Sequence, residues 1–268
     1  DAFDRALAAR KDELERVSIR ACLTMRPRAI FAADPEGRHF TSYNWHFSGY
    51  DRKMHDAGLV HYIPCNLGEI PDYYRRFIDH VDIAILKAAP EDSEGWFNLG
   101  PIGLWHPAVI ERSRIIVIEV EPDMPRASGS HVRIHRSQVD YVIEGDGLPM
   151  PELPSAEPNG VDRAVARHIA AEIEDGACLQ VGIGGMPNAV TSLLLESGVK
   201  DLGVQSEMLN DGLGALYRAG RITGARKAVD TGKLTYSFAL GSTALYDTIR
   251  NNPDLNCLPV EITNIPAV

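Results

Sequence analysis

Two hydrophobic rhythms alternate along this chain. Short aliphatic or two-residue-periodic runs predict strands at 17–23, 39–47 (where Tyr43 and Trp45 alternate with polar residues), 60–63, 81–86, 115–120 and 139–143. Between them, 50–57, 70–78 and 107–112 read as helices, with Pro71 at an early, tolerated position. Such strand–helix alternation predicts a mainly parallel sheet covered by helices.

The pattern breaks at 145–160, where Pro149, Pro151, Pro154 and Pro158 accompany few aliphatic residues. Proline at that density continues neither a helix interior nor a sheet, so the stretch reads as a linker. The expected division is a first domain at 1–147, a Pro-rich linker at 148–160 and a second domain at 161–268. Past the linker, Val161, Val165, Ile169 and Ile173 form one stripe of an amphipathic helix, closed by Gly176. A short strand at 177–181, a tight turn at 182–185 and a helix at 187–196 follow. The strand–helix–strand series 233–238, 243–249 and 257–262 completes the pattern.

Composition narrows the function classes. A length of 268 residues corresponds to about two domains at roughly 150 residues each. The longest strongly aliphatic run, 115–118, is far short of a bilayer span, which excludes a membrane-spanning helix. The opening residues are charged and helical in pattern, unlike a signal peptide, and the absence of an initial Met predicts an excerpt of something longer. Lys and Arg total 27 against 37 Asp and Glu, a net charge of −10 that repels a polyanion, so no nucleic-acid partner is expected. The basic pairs Arg75–Arg76 and Arg26–Arg28 read as solvated faces. Cys22, Cys65, Cys178 and Cys257 are dispersed, as reduced thiols of a cytoplasmic protein would be. His39, His46, His55, His61, His131 and His135 show no metal-ligand spacing, and no metal is expected.

Two segments could carry chemistry. In 179–188 a strand runs into Gly182, Gly184 and Gly185 and then opens a helix through Met186, Pro187 and Asn188. Glycine allows positive φ and close backbone approach, and a helix start offers unpaired N–H groups. The turn therefore suits a phosphate, carboxylate or thioester oxygen, or is an ordinary strand-to-helix connection. Pro187 occupies the place of the third glycine of a dinucleotide fingerprint, which argues against a nucleotide-dependent oxidoreductase. In 202–212, Glu207 lies just past a short apolar strand. It reads as a nucleophile or general base facing the glycine turn, or as an exposed loop carboxylate. No Gly-x-Ser-x-Gly elbow is present, which counts against an α/β-hydrolase.

At these two segments the chain resembles the acetyl-CoA hydrolase/transferase family, and within it the 4-hydroxybutyrate and butyrate–acetate CoA-transferases. The resemblance extends over essentially the whole chain, through Asn44 to Gly49, His61 to Pro64, Leu179 to Asn188, Ser206-Glu207-Met208 with Asp211-Gly212, and Phe238 to Ser242. It implies an α/β fold of two similar domains, each with a mainly parallel sheet flanked by helices. It makes Glu207 the nucleophile that becomes an acyl anhydride and then a glutamyl-CoA thioester. Gly184, Gly185, Met186, Pro187 and Asn188 become part of the CoA-binding turn. CoA is implied as co-substrate with no tightly bound cofactor, acyl-CoA and small carboxylates as substrates, and a homo-oligomer as the assembly. Gln205 stands where relatives carry His, a departure expected to alter acyl-group preference. The family extends beyond both ends of this chain, which is expected to be the middle of a two-domain transferase. A CoA-transferase is the leading expectation; an acetyl-CoA hydrolase differs only in admitting water, and a silent acyl-CoA-binding module is the non-enzymatic alternative.

Overall fold

Parallel pairing dominates the computed structural model, in which residues 1–264 are described. Strands β1 (Val17–Ala21), β2 (Phe40–Asn44) and β3 (Val60–Tyr62) form a three-stranded parallel sheet in chain order. The next five strands are β4 (Val81–Ala88), β5 (Trp96–Asn98), β6 (Ser113–Val120), β7 (Arg133–His135) and β8 (Tyr141–Glu144). Of these, β4, β6 and β8 make a second parallel sheet, while β5 and β7 pair antiparallel. The last four, β9 (Cys178–Leu179), β10 (Gly203–Leu209), β11 (Leu234–Ala239) and β12 (Leu255–Cys257), line up in order as a parallel sheet. The fold is α/β with mainly parallel sheets flanked by helices; in the first half the parallel strands fall into two sheets.

The helices of the first half are α1 (Ala2–Ala9), α2 (Ala29–Ala33), α3 (Gly49–Asp56), α4 (Ile70–Phe77) and α5 (His106–Arg112). In the second half, α6 (Gly160–Ala171), α7 (Gly185–Glu196), α8 (Asp211–Arg218) and α9 (Thr243–Ile249) precede the short α10 (Val260–Thr263). None of the described helices is long and apolar enough to cross a membrane. The strand expected at 257–262 stops at Cys257, because Pro259 has no N–H for a ladder and instead caps α10.

The sheet of the second half has two unlike faces. Strands β9 to β12 advance in one direction, so crossovers of one hand put α7, α8 and α9 side by side on one face. There Val204, Leu234, Tyr236, Leu255 and Cys257 are fully or nearly fully buried with Leu194, Leu213, Leu216, Leu245 and Ile249. Alternation sends Gln205, Glu207, Thr235, Ser237 and Asn256 to the opposite face. Chain from the first half pairs along the edges of β11 and β12 and reaches that polar face at Ser237. Gly103 N donates to Ser237 O (2.7 Å), Leu104 N to Ser237 Oγ (3.1 Å), and Ala239 N to Pro101 O (2.9 Å). Cys257 N donates to Ser128 O at 2.8 Å on the next strand.

The Pro-rich segment 148–160 is strapped to the second half. Tyr246 Oη donates to Pro151 O (2.6 Å), Thr243 N to Glu152 Oε1 (2.9 Å), and Asn188 Nδ2 to Ala156 O (2.8 Å). Beyond it, the apolar stripe of α6 faces outward: Val161 is 72% exposed and Val165 41%, while Ala166 is the residue that is buried. The helix lies close against α7 through small residues. A Cβ on Gly185 would stand 2.5 Å from Asp162 Oδ2 and 3.2 Å from Glu157 O.

Two stability predictions follow from this packing. Gly185→Ala has to displace Asp162, whose Oδ2 accepts the Asn159 N–H at 2.9 Å in the cap of α6. It should cost about 1–3 kcal/mol in denaturant unfolding, whereas Gly182→Ala, with nothing within 4 Å of the added carbon, should cost little. Equal midpoints for the two variants would contradict the close α6–α7 approach. The second concerns His106, half-buried as a residue with its Nδ1 enclosed and unpartnered among the described residues. Burial pushes this imidazole down from 6.5 to about 4, the Gly103 carbonyl offsetting part of the effect. The unfolded chain therefore takes up a proton first as pH falls. The stability owed to neutral His106 is complete above pH 6.5 and is lost toward pH 4, by up to about 3 kcal/mol. Thermal unfolding of His106→Gln should depend less steeply on pH in that window than the wild type, and parallel curves would refute the assignment.

Candidate active site

Glu207 sits inside β10, not past it. Met208 and Leu209 continue the alternation and pair with Phe238 and Ala239, extending the strand two residues beyond the glutamate. Between the paired Ser206–Tyr236 and Met208–Phe238, Glu207 projects from the polar face near the carboxyl end of the sheet. The neighbouring β9 is already finished at that level, since its last residue, Leu179, pairs with Val204. The carboxylate is half-buried, and Asn264 Nδ2 donates to its Oε2 at 2.5 Å.

Asn264 follows α10 and packs on the first half, where its Cβ would lie 3.2 Å from a Cβ at Gly68. The 67–69 turn belongs to a cluster in which Leu67, Cys65, Ile63 and Cys22 pack around buried Trp45 and Ile70. Cys22 feels the Glu207 carboxylate: burial pushes its thiol up to about 12, and the charges of Asp51 and Glu207 add to the rise. Glu207 is thus held between the polar face of one sheet and loops at the carboxyl ends of the strands of another.

The residues after the strand organise the neighbouring turns. Asn210 Oδ1 accepts from Leu213 N (3.0 Å) and caps α8, while its Nδ2 donates to Gly182 O (2.8 Å). Asp211 accepts from Ser242 N (2.9 Å) and Ser242 Oγ (2.5 Å), fixing the turn after β11. Gly212 has to be glycine, because a Cβ would come within 2.3 Å of Thr191 Oγ1. One tripeptide therefore sets the glycine turn, the β11–α9 turn and the start of α8.

Within the glycine turn the five sequence-predicted positions have different surroundings. Gly184 has φ +122°, conformational space that other residues rarely enter, and a Cβ there would meet only Pro187 Cδ at 3.9 Å. Gly185 faces Asp162, and Met186 packs against the core. Pro187 is the third residue of α7, and the amide of Asn188 is committed to Ser155 and Ala156 of the linker. The turn is open at Gly182 and, among these five positions, at Gly184. Asn210 links the turn to the Glu207 strand. Gln205 shares Glu207's face, and its Nε2 and Oε1 are buried without a partner among the described residues. Sequence reasoning did not single out Asn264 or Asp51, since a lone Asn after a helix and an Asp in a first turn carry no spacing signal.

Comparison with known proteins shows the family and the fold. The sequence model "Acetyl-CoA hydrolase/transferase N-terminal domain" matches residues 1–154. Butyryl-CoA:acetate CoA-transferase from Anaerostipes caccae is 44% identical over 265 residues, 98% of this chain and 59% of that protein. The crystal structure of RipA from Yersinia pestis superposes with a TM-score of 0.88 at 28% identity, covering 99% of this chain and 63% of that one. The 4-hydroxybutyrate CoA-transferase from Porphyromonas gingivalis gives a TM-score of 0.79 at 29% identity, with 99% and 62% covered. The chain spans less than two thirds of the length of each of these proteins. Matched over more than half its length by that sequence model, it belongs to the acetyl-CoA hydrolase/transferase family.

Proposed function

We propose that the intact protein is a CoA-transferase that moves CoA between an acyl-CoA and a small carboxylate of the acetate, butyrate or 4-hydroxybutyrate type. The observation that carries this reading is the Glu207 carboxylate, held by Asn264 on the polar sheet face beside the strand end that Asn210 ties to the glycine turn. Glu207 attacks the thioester carbonyl and expels CoA thiolate, leaving an acyl-glutamyl anhydride. The thiolate then attacks the glutamyl carbonyl, releasing the first carboxylate and leaving a glutamyl-CoA thioester. An incoming carboxylate repeats the two steps in reverse.

A carboxylate is a weak attacker of a thioester, so near-attack geometry has to supply much of the acceleration, on the order of 7–11 kcal/mol. A side chain fixed on a paired strand and held by an amide supports that role. CoA is a co-substrate in this scheme, with its long arm providing remote binding energy. The open side of Gly184 supports its place in the CoA-binding turn with Gly185, Met186, Pro187 and Asn188; the last four shape the turn through their own packing. All four cysteines are free thiols, which supports a reducing cytoplasmic setting. The division at the 148–160 linker belongs to the same reading, supported by the separate sheets on its two sides. So does a homo-oligomer, supported by exposed Ile83, Ile85 and Tyr141 on the outer strands of the β4–β6–β8 sheet.

Glu207→Gln should abolish acyl exchange without unfolding the protein, because shape is kept and the anionic nucleophile is lost. Wild-type enzyme given acyl-CoA without acceptor should accumulate the glutamyl-CoA thioester. Borohydride would then convert Glu207 to an alcohol, visible by mass spectrometry of the peptide that contains it. An unmodified peptide from fully active enzyme rules out the covalent route, and free CoA without exchange identifies a hydrolase.

Gly184→Val should weaken CoA binding, because a β-branched residue resists φ near +122°. An unchanged Kd by calorimetry in the folded variant would mean that the turn is only structural.

A further inference from the structure

Asp51, in the first turn of α3, is fully buried and has no cationic partner among the described residues. Its capping box with Ser48 is ordinary: Asp51 N donates to Ser48 Oγ at 3.0 Å and Ser48 N to Asp51 Oδ2 at 2.9 Å. Two further bonds are not part of a cap. Thr24 N donates to Asp51 Oδ2 at 2.9 Å, and Asn44 Nδ2 donates to Asp51 Oδ1 at 2.7 Å. One carboxylate thus ties the loop after β1, the end of β2 and the start of α3.

The loop after β1 needs an anchor. Leu23 has φ +50°, a left-handed conformation unfavourable for a residue with a branched side chain. It is pinned on both sides: Leu23 N donates to His46 O at 2.9 Å, and the following amide is the one that Asp51 accepts. Cys22, immediately before it, packs with Trp45 and Leu67 in the cluster that adjoins Asn264 and Glu207.

We propose that Asp51 is a positioning residue for the transfer reaction: its carboxylate holds the strained 22–24 turn and the 44–48 loop in register as the wall that faces Glu207. The inference rests on the reading of Glu207 as nucleophile. It assigns Asp51 an effect through geometry, with no contact to substrate and no dependence on its charge.

Two substitutions separate position from charge in the intact protein. Asp51→Asn removes the charge yet keeps an oxygen for Thr24 N and Ser48 N, and Asn44 can turn its amide to accept from the new Nδ2. Asp51→Glu keeps the charge and moves the acceptors by about one carbon–carbon bond. Asp51→Glu should lower kcat by about ten-fold or more, with the KM for acyl-CoA changed by less than about three-fold, because small displacements of reacting groups weigh on the transition state. Asp51→Asn should stay within about three-fold of the wild-type kcat. Ile30→Val, in the core beside β2, serves as a destabilised control and should lower the unfolding midpoint without lowering kcat. If Asp51→Glu does not fold, Asp51→Ala takes its place with the same expectation.

A folded Glu variant with wild-type kcat overturns the proposal. So does an Asn variant as impaired as the Glu variant, or a control whose kcat falls in step with its midpoint. Glu207→Gln, assayed alongside, keeps the two readings apart. Residual exchange in that variant removes the nucleophile assignment, whereas an inert Glu207→Gln beside a fully active Asp51→Glu removes only the positioning role.

Discussion

Burying a polar sheet face is the constraint from which the rest of this architecture follows. On β10, β11 and β12 one face is aliphatic and covered by helices, but the other carries Gln205, Glu207, Thr235, Ser237 and Asn256. Polar groups removed from water without partners cost about 1–3 kcal/mol each, so that face has to be covered by groups that bond to it. Lys227 Nζ donates to Val204 O, Lys233 O and Thr235 Oγ1 at 2.7–3.0 Å. Asp230 Oδ2 accepts from both Thr235 Oγ1 and Asn256 Nδ2. Backbone from 101–104 satisfies Ser237, and Asn264 meets Glu207. Gln205 is the exception: its amide atoms are buried and unpaired among the described residues, on the same strand face as Glu207 and two residues away. The polar face therefore carries contacts to the first half at Ser237 and leaves the Glu207 carboxylate beside them.

The same economy governs the loops. At the carboxyl ends of the second-half strands, Asn210 and Asp211 use side-chain oxygens and an amide to fix the adjacent turns. At the corresponding ends of the first sheet, Asp51 fixes the loops after β1 and β2. Short acidic and amide side chains suit this work because one group in the first turn of a helix can still reach a backbone N–H about thirty residues away, as Asp51 does with Thr24 N and Asp211 with Ser242 N. In each case an Asx side chain near a helix start does more than cap it.

Much of this was legible in the pattern of the chain. Aliphatic runs such as 115–120 found their strands, since buried parallel strands are apolar on both faces. Three-residue strands such as β5 and β7 were not legible, because so short a segment has no periodicity. The stripe Val161, Val165 and Ile169 showed that α6 is a helix without showing which way it faces; Ala166 and the close approach at Gly185 decide that. Glu207 was visible through the resemblance of its motif, but its place inside the strand depends on pairing with β11. Asn264 lies 57 residues further along, so only the fold brings it to Glu207.

That placement inside a strand bears on the chemistry. A carboxylate on a loop would have backbone freedom to lose at each turnover, and its attack geometry would be correspondingly loose. On β10 the backbone on both sides of Glu207 is paired, through Ser206 with Tyr236 and Met208 with Phe238, so the remaining freedom is in the side chain. Asn264 restrains that side chain from the first-half side. The glutamyl mechanism proposed above, in which one carboxyl group is acylated, attacked and regenerated, would gain from a fixed backbone, because each step requires the carbonyl carbon to return to one place. The strand thus fixes the carboxylate from one side, and Asn264, which follows α10 and rests against Gly68 of the first half, confines it from the other.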